Sequence, residues 1–556
     1  MNSEYKAHYW VILLLSYFIV AYLLQLAEPA LWSPDELRYA EISREMVATG
    51  DWVVPHFNGL RYFEKPVMGY WLNALSQLVF GENNFAVRFA SSISALGSAL
   101  CLALLVSKET NVRQGWLTAG VYLSLFLVMT IGTYSVLDSM LSFWLTATFI
   151  TFYFAMDTQD TQRRILLYLV AGCLCGCALL TKGFLALALP VIVVGAYAIW
   201  QRQLHQLLIY GWLTIIAATL ICLPWALAIH QQEPDYWHYF FWIEHIKRFT
   251  ADNAQHASPS WYYLPFLLLG ILPWLFILPS CLSGFNKQYL SPLIRFALLW
   301  FLLPLVFFSL SKGKLVTYIL PCMAPVAVLI THALVSANQQ GKNLFPSGSL
   351  LHIAIALLLA VTFPLLNALG HLPLGPDEWY KPWLLTAAMV FWACCVLISK
   401  RSNNLESLVF AHMLAPLGLF TTFGPALPDT VIDSKLPERF IERLSEDISD
   451  QTIIVSDYPS NMSAFNWYLK RSDIYLTRAK GEVEYGLSYP DARQRFIPLE
   501  NLSQFVQRKR KESSVVIQFR DLDRLSPEFP DGDFPKADKF VEQGRFQAFI
   551  FHRRPE

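Results

Sequence analysis

The sequence predicts a polytopic α-helical membrane protein that carries a small α/β domain at its C-terminal end. Three observations predict this class. The 556 residues are 55% hydrophobic and 15% charged with a mean hydropathy of +0.38, more apolar surface than a soluble domain can bury. Apolar stretches long enough to cross a hydrocarbon core of about 30 Å, roughly 20 helical residues, recur along most of the chain. After Gly424-Pro425 that pattern stops. Shorter hydrophobic runs at 452–455, 474–476, 515–519 and 546–551 then alternate with charged, helix-like stretches such as 464–471, as strands and helices of an α/β domain do.

Taken in order, the apolar stretches fall at 9–27, 86–106, 114–132, 138–157, 164–181, 184–200, 207–229, 261–281, 292–310, 315–336, 350–369, 382–399 and 407–424, about thirteen transmembrane helices. The first lacks a small-residue cleavage site and reads as a retained anchor. With the N-terminus cytoplasmic, alternation places Lys108, Arg113, Arg163, Arg164, Arg202, Lys287, Lys342, Lys400 and Arg401 in cytoplasmic loops, as the positive-inside rule requires. The same alternation sends two long polar loops, 28–85 and 230–260, to the outer side. Span ends carrying Asp138, Lys182, Lys312 and Lys314 go with them. The expected organisation is a transmembrane core over 1–424 and an outer α/β domain over 425–556.

Charge and motif content exclude several functions. Forty-two basic residues balance forty-two acidic ones and no basic tract stands out, so nucleic acid is not an expected partner. All nine cysteines lie in or at the ends of apolar stretches, without zinc or redox spacing, and read as packing residues. There is no Walker loop, dinucleotide fingerprint, H-E-x-x-H or G-x-S-x-G. Asp521-x-Asp523 and Asp531-x-Asp533 are a weak pattern that reads as solvated turns.

The chemistry concentrates where the chain re-enters water. Ser33-Pro34-Asp35-Glu36-Leu37-Arg38-Tyr39 follows the first span directly. Ser33 with Glu36 has the form of a capping box, Pro34 suits a first helical position, Tyr39, Ile42 and Met46 line one face, and Gly50 is a stop. Acids in a first turn complement the helix dipole, which is the purely structural reading of Asp35. A second dense cluster is Arg61-Tyr62-Phe63-Glu64-Lys65-Pro66. The other long loop carries an aromatic run from Tyr236 to Phe249 with Lys247 and Arg248 near its end, the pattern of an interface-lying helix anchored by Trp237, Phe241 and Trp242. Lys65, Lys182, Arg248, Lys312 and Lys314 thus collect on the outer face, where cations suit a lipid phosphate.

Asp35-Glu36-x-Arg38-Tyr39-Ala40-Glu41-Ile42, Arg61-Tyr62-Phe63-Glu64-Lys65-Pro66, Tyr134-x-x-x-Asp138, Thr181-Lys182-Gly183 and Lys312-Gly313-Lys314-x-x-x-Tyr318 occur in this order. Together they resemble the undecaprenyl-phosphate aminoarabinose:lipid A transferases of Gram-negative bacteria, within the GT-C glycosyltransferase superfamily, over essentially the whole chain. The resemblance implies a GT-C fold with a periplasmic α/β domain in the bacterial inner membrane. It implies an undecaprenyl phosphate-linked aminoarabinose donor, lipid A as acceptor, an active site facing the periplasm, and resistance to polymyxin and cationic peptides as the outcome. It makes Asp35 the principal catalytic carboxylate and Asp138 a second one. Lys65, Arg248 and Tyr318 would hold the donor phosphate, and Arg38, Tyr39, Tyr62 and Lys182 would line the cavity. No cofactor is required for the chemistry, while Glu64 and His245 would share a structural divalent metal ion.

Elementary chemistry agrees with such roles. A sugar leaving a polyprenyl phosphate expels an anion, which needs cations rather than a proton donor. One carboxylate then suffices, and direct displacement inverts the anomeric carbon. A retaining route wants a second carboxylate about 5 Å away, which Asp138 leaves open. The alternatives are a protein O-mannosyltransferase-like enzyme with the same donor type and a non-enzymatic lipid flippase or transporter. The latter keeps its ionisable groups near the bilayer midplane, whereas here they sit at span ends and in loops.

Overall fold

The computed structural model describes residues 3–247, 256–278, 290–343, 347–401, 404–521 and 536–555. The chain forms two compact units. The first comprises residues 1–26, 88–372 and 379–426, and the second 27–87, 373–378 and 427–556.

The first unit is a helical bundle. Among the described residues nine helices are long and apolar enough to cross a membrane, or ten if Val112–Leu123 and Phe126–Gly132, bent by 67°, are one broken span. Tyr9–Gln25 and Leu185–Trp200 are shorter apolar helices. The expected span at 261–281 is a continuous helix only over Tyr263–Gly270, followed by the short 3-10 turn Leu275–Ile277; Cys281 lies outside the described residues. The bend has a local cause. At the break the Phe126 N–H leaves the helical ladder for Leu272 O (2.9 Å), and Ser124 Oγ accepts from Trp274 Nε1 (3.1 Å).

Close helix contact in this unit depends on small residues. Helix Thr161–Lys182 packs on Leu204–Gln232 through Gly172 and Gly176, where an added Cβ would lie 2.4 Å from Thr214 O and 3.0 Å from Ala218 O respectively. Asp160 caps the start of that helix through Gln162 N, and Gly183 at φ +79° ends it.

The second unit is built on a six-stranded sheet. Its strands are β3 (Ile453–Ser456), β4 (Tyr475–Thr477), β5 (Phe496–Ile497), β6 (Val515–Arg520), β7 (Lys539–Gln543) and β8 (Phe546–Phe551), in the order β5-β4-β3-β6-β8-β7. The first four are parallel, with Ile454 beside Val516 and Ser456 beside Gln518, and β8 and β7 close one edge antiparallel. Four of these six strands are the runs that the sequence marks. The β6 residues 515–519 are all buried, as a strand covered on both faces must be. Helix Leu499–Lys509 supplies Leu502 and Val506 to the core with Val455, Val515, Ile517 and Phe551.

The sequence groups residues 28–85 with the membrane core, but they pack in the second unit. Here the chain forms helix Asp35–Thr49, a hairpin of β1 (His56–Phe57) and β2 (Leu60–Arg61), and helix Met68–Phe80. Asn58 and Gly59, at φ 58° and 66°, make the two-residue turn that such a hairpin favours. The Asn58 side chain donates to Ile474 O (2.8 Å) and accepts from Ile474 N (3.0 Å) and Asn466 Nδ2 (2.8 Å). Arg495 donates to Asn58 O (2.6 Å) and Ser472 O (3.0 Å). Gly486 abuts Arg61 so closely that a Cβ would lie 2.5 Å from its carbonyl oxygen. A loop held by that many directional bonds is a structural member of the unit.

Candidate active site

In the second unit, helix Asp35–Thr49 begins differently from the expected capping box. Its N-cap position is Pro34, without a side-chain cap. Ser33 Oγ instead donates to Ser460 O (3.1 Å), and Glu36 Oε2 accepts from Trp32 N (3.0 Å), one residue further back than a box requires. The expected stop holds: Gly50 is left-handed at φ +73° and its N–H bonds Met46 O. Ile42 and Met46 are buried and Tyr39 half-buried.

Not every charge on this helix is available for chemistry. Glu41 and Arg44 form a buried bidentate pair at 2.6 and 2.8 Å, and Glu45 Oε2 accepts from Gly59 N (2.8 Å). Burial pushes the Glu41 carboxyl well up against the pull of Arg44. These residues hold the hairpin and helix together.

At the start of the helix the Arg38 guanidinium bonds Asp35 with one terminal nitrogen and Glu482 with the other. Glu482 comes from the short 3-10 turn Gly481–Val483 that follows β4. Sequence reasoning missed it. Only its chain distance from Arg38, 444 residues, separates it from the motif that it completes. The side chains are 42% exposed for Asp35, 13% for Arg38 and 19% for Glu482, so Asp35 is the one of the two carboxylates that solvent or a ligand reaches more easily. Burial opposes the charge on Arg38, but Tyr62, Glu482, Tyr39 and Asp35 around it outweigh this and hold it protonated. Burial pushes Glu482 up, with Arg38 pulling the other way, and buried Tyr62 is likewise raised well above the ordinary phenol range. Arg38 lies 5.1 Å from the Tyr39 ring centroid, a cation–π contact. Lys65 Nζ donates to Glu64 O (2.9 Å). Asp35, Arg38, Tyr39 and Tyr62 are thus one assembly to which the C-terminal residues add Glu482.

In the first unit, Asp138 sits in the first turn of helix Leu137–Asp157, whose start is tied to helix Asn84–Glu109 by Ser139 Oγ donating to Ser91 O (2.7 Å). Lys182 is the last residue of its helix before Gly183. Its Nζ reaches Asp138 Oδ1 at 2.6 Å, in a pair only 13% and 10% exposed, and stands 4.8 Å from the centroid of Tyr318. Tyr318 lies on the 3-10 turn Val316–Cys322, against Phe308. Three residues implied by the family resemblance are therefore assembled from three separate segments.

Lys314 is a correction to the expectation that the collected outer-face cations suit a lipid phosphate. It is buried, and its ammonium donates to Ser258 O (2.8 Å) and Ser311 O. Backbone bonds from Lys314 N to His256 O (3.1 Å) and from Ser258 N to Lys312 O (3.3 Å) complete a two-stranded clip. Its charge serves those carbonyls.

The aromatic loop is helical over His238–Lys247 with π spacing; Tyr236 and Phe240 are buried while Phe241 and Trp242 remain exposed, as an interfacial anchor requires. Arg248 and the His245 side chain lie outside the described residues. Among the described residues no group of three or more His, Cys, Asp or Glu side chains is placed to hold a metal ion. Of the two D-x-D motifs only Asp521 is described, in an ion pair with Arg545 (Nε to Oδ1, 2.6 Å).

The fold and the sequence both have known relatives. A family model described as dolichyl-phosphate-mannose-protein mannosyltransferase matches residues 10–240, and one described as arabinosyl transferase ArnT, C-terminal domain, matches 432–550. The crystal structure of ArnT from Cupriavidus metallidurans bound to undecaprenyl phosphate superposes with a TM-score of 0.78, covering 97% of this chain and 98% of that one at 21% identity. The helical bundle, with a fold shared along the whole chain, defines the class as a multi-pass membrane protein of the ArnT fold. Proteins named undecaprenyl phosphate-alpha-4-amino-4-deoxy-L-arabinose arabinosyl transferase are 53% identical in Shewanella sediminis, over 97% of each chain, and 44% identical in Aeromonas salmonicida, over 96% of this chain and 98% of that one. The chain belongs to this arabinosyl transferase family.

Proposed function

We propose that the protein transfers 4-amino-4-deoxy-L-arabinose from undecaprenyl phosphate to a phosphate group of lipid A, from an active site on the periplasmic face of the bacterial inner membrane. Family membership over the full chain supports the donor and the sugar. The observation that carries the division of labour is the engagement of Asp138 by Lys182, which leaves Asp35 as the accessible carboxylate.

In this reading an oxygen of the acceptor phosphate attacks the anomeric carbon, the bond from that carbon to the donor phosphate oxygen breaks, and undecaprenyl phosphate departs as an anion. The acceptor's second ionisation lies near pH 6, so the nucleophile is largely formed, and Asp35 orients it or takes its remaining proton. Arg38, gripped by Glu482, fixes Asp35. The family resemblance assigns Lys65, Arg248 and Tyr318 to the departing phosphate, and Lys182, held in place by Asp138, is a further cation of the first unit. A carboxylate tied to an ammonium is a poor nucleophile, which favours single displacement with inversion over a retaining route. Adding an aminosugar puts a positive charge on each modified phosphate and weakens the surface's attraction for polymyxin-like peptides.

Expression in a strain that makes the donor but lacks its own transferase tests this. Lipid A should gain the aminoarabinose mass and the cells should gain polymyxin resistance; an added neutral hexose would instead support the mannosyltransferase-like alternative. Lys65→Ala should slow transfer by one to two orders of magnitude, since a charge-assisted contact contributes about 1.5–3 kcal/mol.

A further inference from the structure

Away from Asp35, the second unit contains a cavity of about 540 Å³ bordered by Phe80, Glu82, Phe85, Glu438, Trp467 and Lys470. We propose that it binds the zwitterionic headgroup of a membrane phospholipid, an ammonium and a phosphate joined by a short linker.

Its charges are mixed in the way such a headgroup needs. Two carboxylates, Glu82 and Glu438, and one ammonium, Lys470, share a wall with four aromatic rings including Tyr468. Lys470 Nζ is 3.0 Å from Glu82 and 3.7 Å from the centroid of Trp467, so the aromatic face already accommodates an ammonium. The Lys470–Glu82 pair is 40% and 36% exposed, and pairs that open to solvent contribute only about 0–1 kcal/mol. A zwitterion can therefore exchange partners with it at little cost, its phosphate taking Lys470 and its ammonium taking Glu82 and the rings. A purely anionic headgroup meets two carboxylates, and a simple cation leaves Lys470 without a counterpart.

The cavity's neighbours place it where phospholipids are. Helix Met68–Phe80 runs into it presenting Leu75, Leu78 and Val79 at 51%, 55% and 73% exposure, a ridge that soluble surfaces avoid and acyl chains cover. On its other side helix Asn84–Glu109, whose first residues line the cavity, runs on as a membrane span. Residues 80–85 therefore lie at headgroup depth, where aromatic side chains also concentrate. At about 540 Å³ the space lies within the range of small-molecule sites.

The test uses the full chain in nanodiscs of equimolar phosphatidylethanolamine and phosphatidylglycerol, released into native mass spectrometry. Wild type should retain phosphatidylethanolamine over phosphatidylglycerol by about tenfold. Glu82→Gln and Lys470→Met should each abolish that preference, and Lys470→Arg should keep it. Equal retention of the two lipids by wild type, or an unchanged preference in both Glu82→Gln and Lys470→Met, overturns the proposal. A phosphatidylethanolamine carrying a diazirine near its headgroup gives a readout that needs no variant. Crosslinks should map to peptides containing 80–85 and 467–470, and labelling confined to other segments overturns the proposal equally.

Discussion

The Asp138–Lys182 pair invites a double-mutant cycle. Both partners are almost fully shielded, with 13% and 10% exposure at a separation of 2.6 Å, so removing one leaves the other charged and poorly solvated. Breaking a buried pair from one side costs about 3–5 kcal/mol, whereas replacing both partners with neutral groups of similar volume is often close to neutral. Asp138→Asn and Lys182→Met should therefore each lower thermal stability in detergent by several kcal/mol, and the double variant should recover much of the loss, a coupling of about 2–3 kcal/mol. Transfer activity separates the roles further. If Lys182 contributes a positioned cation, the double variant regains stability but not rate, because the ammonium beside Tyr318 is still missing. Coupling below about 0.5 kcal/mol would mean that the two groups do not sense each other, and the inference that Asp138 is occupied would fall with it.

Three more outcomes follow from separate parts of the chain. Asp35→Asn should abolish transfer while leaving stability nearly intact, since a first-turn charge contributes only about 0.3–1 kcal/mol and Arg38 keeps Glu482 as its counter-ion; wild-type turnover would return Asp35 to a dipole role. Burial pushes the Asp457 carboxyl, which accepts from Asn461 Nδ2 and Arg520 N, up to about 6 from an ordinary 3.8. A raised carboxyl stabilises the fold fully below pH 3.8 and loses that contribution as pH climbs through 6, about 3 kcal/mol in all, so protection of β3 and β6 amides from hydrogen exchange should fall between pH 4 and 7 in wild type and stay level in Asp457→Asn. Gly172→Val should separate the helix pair 161–182 and 204–232 and lower stability by more than about 2 kcal/mol, read as a drop in melting temperature; an unchanged melting point would refute close packing there.

Much of the architecture was legible because it rests on local pattern. Apolar length marks the helices, and alternation after residue 425 marks four of six strands. The short edge strand β5 and the polar β7 carry too little hydrophobic pattern to announce themselves. Two further local signals stand in the sequence, Asn58-Gly59 as a hairpin turn and Gly172-x-x-x-Gly176 as a packing face. Composition records apolarity and not continuity, so it does not show the breaks within 112–132 and 261–278. Among the candidate residues, Asp35 and Arg38 are three residues apart on one helix and could be paired from spacing. Asp138 with Lys182, and Arg38 with Glu482, could not, since each depends on which distant segments pack together. Lys314 shows the converse: charge and position suggested a phosphate ligand, and only burial reveals that backbone carbonyls use it.

The dependence of Arg38 on Glu482 sets an order of assembly during synthesis. A ribosome releases the Asp35 helix early and must add more than four hundred further residues before Glu482 appears. Until then the guanidinium has one of its two carboxylates, and in a chain still shorter than 466 residues the hairpin at Asn58 lacks Asn466, Ile474 and Arg495, which it bonds. The first polar segment consequently stays unfinished until the C-terminal residues exist, and a chain truncated before residue 482 lacks the completed acid cluster.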